Sequence, residues 1–141
     1  MNWMLSKLEE EGFIKKLPPD TRRVENSLDL GHRDVDTAAR MLKNEDNDWA
    51  FNIAYNSMLQ SVRALMFHMG YRPSSKNSHI AVVRFTEIVL GDDYSVFLDR
   101  IRRKRHRAVY DMTGTISNSE AHFAVEMALK LIQRVESELD K

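Results

Sequence analysis

The sequence predicts an all-α protein, an up-and-down antiparallel bundle of about five to six helices. Three observations carry that expectation. Glycine and proline are scarce, five and three in 141 residues, which disfavours a fold built from many turns and short strands. Several long segments place apolar residues at helical spacing. Start and stop signals fall at the ends of those segments. The length suffices for one sizeable core, so residues 1–141 read as a single helical domain. Within it, 1–19 is a short leader helix with a Pro-Pro break, and 20–141 is the bundle.

The elements follow in order. Trp3 to Glu11 has a short helical pattern, and Gly12 suits its end. Pro18 and Pro19 then break the chain. Asp20 is a good N-cap for a helix from Thr21 to Lys43, with Val24, Leu28, Val35, Ala38 and Leu42 on one stripe. Gly31 interrupts its propensity. The helix from Trp49 to Met69 has Phe51, Tyr55, Met58, Val62, Leu65 and Met69 on one apolar stripe. Beside it run the small residues Ala50, Ala54, Ser57, Ser61 and Ala64, which permit close helix approach. A polar arc of Asn52, Asn56, Gln60 and Arg63 remains. "GYRPSSKNS" reads as a loop. "HIAVVRFTEIVL" is rich in β-branched residues, but a strand there has no evident partner, so it reads as helix. Tyr94 to Met112 forms the next helix. "SNSE", Ser117 to Glu120, has the form of a capping box and opens the last helix along Ala121, Ala124, Val125, Ala128, Ile132, Val135 and Leu139.

Composition excludes some function classes. With no cysteine, there is neither a disulfide framework nor a thiolate metal site. No pair of histidines or carboxylates has convincing metal-ligand spacing, so neither a metal nor another cofactor is expected. No glycine-rich phosphate loop and no Gly-x-Ser-x-Gly elbow is present. The N-terminal stretch carries acidic residues where a signal peptide needs an apolar run. No segment is long and apolar enough to span a bilayer. The expectation is a cytoplasmic protein without a membrane partner.

The chain is formally neutral, yet six of the eight residues from Arg100 to Arg107 are Arg or Lys. On a helical wheel, Tyr94, Phe97, Leu98, Ile101, Ala108, Val109 and Met112 share one face. Arg105 sits inside that apolar arc. A guanidinium there is costly unless it is paired or faces a cleft. It either snorkels to the bundle edge and pairs, or lines a cleft built for an anion. Arg102, His106 and Tyr110 follow one another on a flank. Arg103 and Arg107 form another row, with Asp111 placed to pair with Arg107. Six cations at such spacing repel one another, and a solvated face is the ordinary outcome of a charge run. An anionic partner, RNA or DNA phosphate or a nucleotide, relieves the repulsion. Candidate phosphate contacts are Arg100, Arg102, Arg103, Lys104 and Arg107, with His106 and Tyr110 able to stack on single-stranded bases. Asn52, Asn56 and Arg63 either face the same cleft or form hydrogen bonds between helices. His79, at the start of its helix, reads as a helix-terminal residue near the surface.

The order "LEEEGFIKK", "RDVDTAARMLKN", "AYNSMLQSVRALMFHMGYRP", "SHIAVVRF" and "RKRHRAVYD" resembles the HEPN superfamily, in particular its stand-alone bacterial and archaeal branch. The resemblance covers nearly the whole chain. It implies a helical bundle that dimerises, and often a metal-independent endoribonuclease of toxin or defence type. It also implies an Arg-x4-6-His motif shared across a dimer cleft, and commonly a minimal nucleotidyltransferase antitoxin encoded alongside. Carried onto this sequence, the Arg is Arg105, His106 takes the polar position after it, and Tyr110 stands where the His is expected. A second alignment, Arg100 with His106, restores the spacing but places its Arg on the outer face. Metal-free RNA cleavage needs a base for the ribose 2′-hydroxyl proton and an acid for the leaving oxygen. Histidine titrates near neutrality, whereas a phenol near pKa 10 is a poor base. Arg105 is thus the expected phosphate ligand, His106 the candidate acid/base and Tyr110 a positioning or stacking residue. The alternative is a non-catalytic RNA- or nucleotide-binding partner of a nucleotidyltransferase.

Overall fold

The structure is a computed structural model and describes residues 1–106 and 115–141; the side chain of His106 also lies outside that description. It is an all-α helical bundle. Among the described residues the helices are α1 (Asn2–Glu10), α2 (Thr21–Lys43), α3 (Asn47–His68), α4 (Ser78–Leu90), α5 (Asp92–His106) and α6 (Asn118–Leu139). Two short strands, β1 (Ile14–Lys16) and β2 (Tyr71–Pro73), pair antiparallel.

Local signals act where the sequence places them. The Asp20 carboxylate accepts from the Arg22 amide and caps α2. Ser117 and Glu120 form a reciprocal capping box at α6. Gly12 follows α1 with φ of 84°, a left-handed conformation that glycine adopts without strain. "HIAVVRFTEIVL" is helical despite its β-branched residues, because Ala81, Val82, Phe85 and Leu90 fall on the buried side of α4. The expected end of α5 at Met112 lies outside the described residues.

α3 is the central element and is buried on several sides. Its small residues, Ala50, Ala54, Ser57, Ser61 and Ala64, are all fully buried. α2 comes close at Gly31. The Ser57 hydroxyl donates to the Gly31 carbonyl at 2.8 Å. A Cβ built on Gly31 would lie 3.0 Å from Ile132 Cδ1 of α6 and 3.1 Å from Ser61 Oγ. The glycine that weakens α2's propensity is therefore where three helices converge. α2 and α3, joined by a short turn, run antiparallel. α3 and α6 run in the same direction: Asn47 meets Asn118, and Gly31 sits between Ser61 and Ile132. α5 runs against α6, with Arg134 over Tyr94 at one end and Lys104 paired to Glu120 at the other.

The strands are a departure from the sequence reading, which makes "GYRPSSKNS" a loop and sees no strand. Each is three residues long, too short for alternation to register, and its partner is far away in sequence. Ile14 pairs with Pro73 and Lys16 with Tyr71. Leu17 N donates to Gly70 O at 2.9 Å and Ser74 N to Phe13 O at 2.8 Å, extending the ladder at both ends. Ile14, Leu5 and Leu8 join the same apolar core as α3 to α6. The ladder also fixes the chain leading into α4, whose first turn forms part of the site.

Gly31→Val should destabilise the fold by about 1–3 kcal/mol, since branched atoms must displace Ile132 or the α3 backbone. Urea unfolding checks this. A midpoint equal to wild type would mean that α2 and α3 do not approach as described.

Candidate functional site

The basic run on α5 is sorted by its neighbours. Asp99 accepts from both Nε and Nη2 of Arg102, at 3.1 and 2.9 Å. It also pairs with the exposed Arg103 at 3.3 Å. Arg100 is exposed, its guanidinium 5.5 Å from the centre of the Phe97 ring. Lys104 crosses to α6 and pairs with Glu120 at 2.6 Å. Arg100 and Lys104 border a mainly apolar recess of about 270 Å³ with Phe97 and Phe123. Arg102 and Arg105 turn the other way.

Arg105 is the residue that the helical wheel puts on the core side, and α3 receives it. Its Nε donates to Asn52 Oδ1. Its guanidinium lies over the Tyr55 ring, 5.3 Å from the centroid. Tyr55 is fully buried, and its hydroxyl is 3.1 Å from His79 Nδ1 on the first turn of α4. The chain of contacts Asn52–Arg105–Tyr55–His79 thus joins α3, α5 and α4. It opens onto a basin of about 380 Å³ lined by Lys76, Asn77, Ser78, His79, Ile80, Arg102 and Arg105. Behind it stands Arg63, half-buried, with its Nε buried and lacking a hydrogen-bond partner among the described residues.

The electrostatics follow from this packing. Burial pushes the Tyr55 phenol above its ordinary range; Arg105, Arg102 and Arg63 only partly oppose the shift. It therefore stays protonated. Burial is also the largest cause lowering the His79 pKa, and Arg105, Arg63 and Arg102 lower it further. The imidazole is neutral at pH 7, a proton acceptor set among cations. Burial lowers Arg63 as well, offset in part by Tyr55.

Of the residues singled out in the sequence, the structure brings Asn52, Arg102 and Arg105 together. Arg63 lies within electrostatic reach of Tyr55 and His79. Asn56 does not line the basin. Arg100, Arg103 and Lys104 face other surroundings. Arg107 and Tyr110, with the Arg107–Asp111 pair, lie outside the described residues, as does the side chain of His106. Among the described residues, no group of three or more His, Asp or Glu is placed to hold a metal ion, and no helix is long and apolar enough to cross a membrane.

The contact between His79 and Tyr55 is what sequence reasoning did not see. Tyr55 belongs to a regular apolar stripe and reads as core. His79 reads as a surface residue because nothing local announces that α4 begins against α5. Only the fold brings the Tyr55 hydroxyl and the imidazole, 24 positions apart, into contact.

The fold and this basin define a helical-bundle protein with a guanidinium-lined cleft between α5 and the start of α4. The model of the HEPN domain family matches residues 24–138. The chain belongs to the HEPN family. None of the curated proteins matches it.

The His79 environment makes a pH prediction. Its folded pKa lies below the unfolded value of about 6.5. The stability gained by keeping it neutral is therefore complete above pH 6.5. It is lost as pH falls from there through the folded pKa, because the unfolded chain takes up the proton first. NMR titration of the imidazole should give a midpoint below 6.5 that rises in Arg105→Gln. A midpoint unmoved by that substitution would mean that Arg105 does not act on His79.

Proposed function

We propose that this protein is a metal-independent endoribonuclease of HEPN type, a toxin or defence effector working as a homodimer. Arg105 holds the scissile phosphate. The observation that carries this reading is the fixation of Arg105 by Asn52 and Tyr55 at the wall of a basin that Arg102 and His79 share. A guanidinium held in place before substrate arrives stabilises phosphate charge in the transition state without further reorganisation. It supplies two-pronged hydrogen bonding that suits phosphate oxygens. Outside the basin, Arg103 and Arg100 are exposed and serve as backbone contacts along a strand.

A second reading has its own support. Tyr110 occupies the position where an Arg-x4-6-His motif has histidine, and a phenol is a poor base at neutral pH. The same arginines then serve a non-catalytic RNA- or nucleotide-binding dimer, the helical partner of a minimal nucleotidyltransferase.

Labelled single-stranded RNA incubated with EDTA separates the two. The nuclease reading expects cleavage by wild type and a loss of about 10²–10³-fold in Arg105→Ala, with helicity and oligomer mass unchanged. RNA bound but uncleaved, with affinity falling steeply as salt rises, would establish the binding module instead. Absence of both binding and cleavage would remove RNA as the ligand.

A further inference from the structure

We propose that His79, on the first turn of α4, is the proton-transfer residue of this site, accepting the ribose 2′-hydroxyl proton of an RNA strand whose phosphate sits on Arg105 and Arg102. The assignment rests on the nuclease reading above and gives it a base outside the Arg-x4-Tyr segment.

The geometry has three parts. First, His79 shares the basin with Arg102 and Arg105, so a phosphodiester bound to those guanidinium groups has the imidazole beside it. The basin's volume is within the range of small-ligand sites. Second, His79 is oriented. Its Nδ1 meets the Tyr55 hydroxyl at 3.1 Å, which directs Nε2 away from the core. Tyr55 is itself immobilised, fully buried, with Arg105 over its ring. This is the arrangement of a base held by a third group. Third, the first turn of α4 has no side-chain cap and no acidic residue. Its amides add to the attraction that the arginines exert on a phosphate.

The step balances as follows. The 2′-hydroxyl proton moves to His79 Nε2 as the 2′-oxygen bonds to phosphorus. The P–O5′ bond breaks, and the leaving 5′-oxygen takes a proton from water. The products are a 2′,3′-cyclic phosphate and a 5′-hydroxyl, and the imidazolium returns its proton to water. Arg105 and Arg102 hold the charge that builds on the phosphoryl oxygens. The step uses the tautomer in which Nδ1–H donates to the Tyr55 oxygen and Nε2 carries the free lone pair, one of the two that the 3.1 Å contact admits; burial keeps the phenol protonated.

The charges around the imidazole support this use. It faces Tyr55 and Arg63 from α3 and Arg102 and Arg105 from α5, with Asp99 tying down Arg102 and Lys76 at the basin rim. In the empty site burial, with the cations adding to it, holds it neutral, ready to accept. An entering phosphate offsets them and raises its proton affinity when the proton must be taken.

Two variants test the proposal, His79→Gln and Tyr55→Phe, each checked for helicity and mass. The readouts are single-turnover RNA cleavage in EDTA against pH, and binding of the same RNA carrying 2′-O-methyl groups throughout. For His79→Gln the expectation is cleavage reduced about 10²–10⁴-fold and loss of the acid limb of the pH–rate profile, with affinity for the methylated RNA retained. For Tyr55→Phe the acid limb persists but moves to lower pH, because the imidazolium loses its acceptor at Nδ1. Wild type that cleaves, beside a His79→Gln protein with the same rate and acid limb, would overturn the role of His79 and leave the nuclease reading standing. Wild type that binds the methylated RNA but cleaves no RNA would overturn both. Should His79→Gln fail to fold, the Tyr55→Phe profile decides: a limb that does not move overturns the assignment.

Discussion

A guanidinium on the core-facing side of a helix must be solvated by the protein itself, and the arrangement around Arg105 is organised by that requirement. Water does not serve it fully, since the residue is half-buried. α3 supplies a carbonyl from Asn52 and an aromatic face from Tyr55. A hydrogen bond to a charged group contributes about 1.5–3 kcal/mol, and a cation over an aromatic face adds about 0.5–2 kcal/mol according to its desolvation. Both partners are used on one side only. Arg105 also lines the basin, where an anion would complete the hydrogen bonding of its remaining donors. The same contact fixes the register of α5 on α3, so the packing of the bundle and the shape of the site are one constraint.

That constraint is met only because α3 is held rigidly. Its small residues let α2 and α6 approach at Gly31, where the Ser57 hydroxyl bonds the α2 carbonyl. With α2 and α6 closing its other sides, α3 turns its Asn52–Tyr55 edge toward α4 and α5. A buried tyrosine needs a hydrogen-bond partner, and the only one shown for Tyr55 among the described residues is His79. The β1–β2 ladder contributes indirectly, because it fixes the chain between α3 and α4 and so sets where the first turn of α4 begins.

The parts legible in the sequence were those with local causes. The α2 boundaries follow from Asp20 and from the periodicity of Val24, Val35 and Ala38; the start of α6 follows from the capping box of Ser117 and Glu120. Arg105 was legible as an anomaly, because a single helical wheel suffices to place a cation among apolar residues. Asn52 was legible only as part of a polar arc. What could not be read was pairing at a distance. The strands are too short for a pattern, and the imidazole of His79 takes its character from Tyr55, Arg63, Arg102 and Arg105, none near it in sequence. Charge counting also misleads here. Six cations on two turns suggest one continuous surface, whereas the fold divides the five that are described among Asp99, Phe97, Glu120 and the α3 edge.

The division explains how a neutral chain concentrates positive potential in one place. Two cations on the outer side of α5 have carboxylate partners nearby: Arg103 pairs with Asp99 and Lys104 with Glu120. Glu120 is held below its ordinary pKa chiefly by the Lys104 hydrogen bond, so that pair is neutral as seen from outside. Asp99 also meets Arg102, yet one carboxylate faces two guanidinium groups and neutralises only one charge. The surplus therefore lies toward the basin, with Arg102 and Arg105 in front and Arg63 behind. Arg63 is partly desolvated, where charge acts through a lower effective dielectric than at the surface. His79 responds to that surplus: burial is the largest cause keeping a proton off the imidazole, and three arginines, with a neutral Asn52 and a protonated Tyr55 offsetting none of their charge, add to the effect. Any anion drawn into the basin weakens their hold on His79, so occupancy and proton affinity rise together.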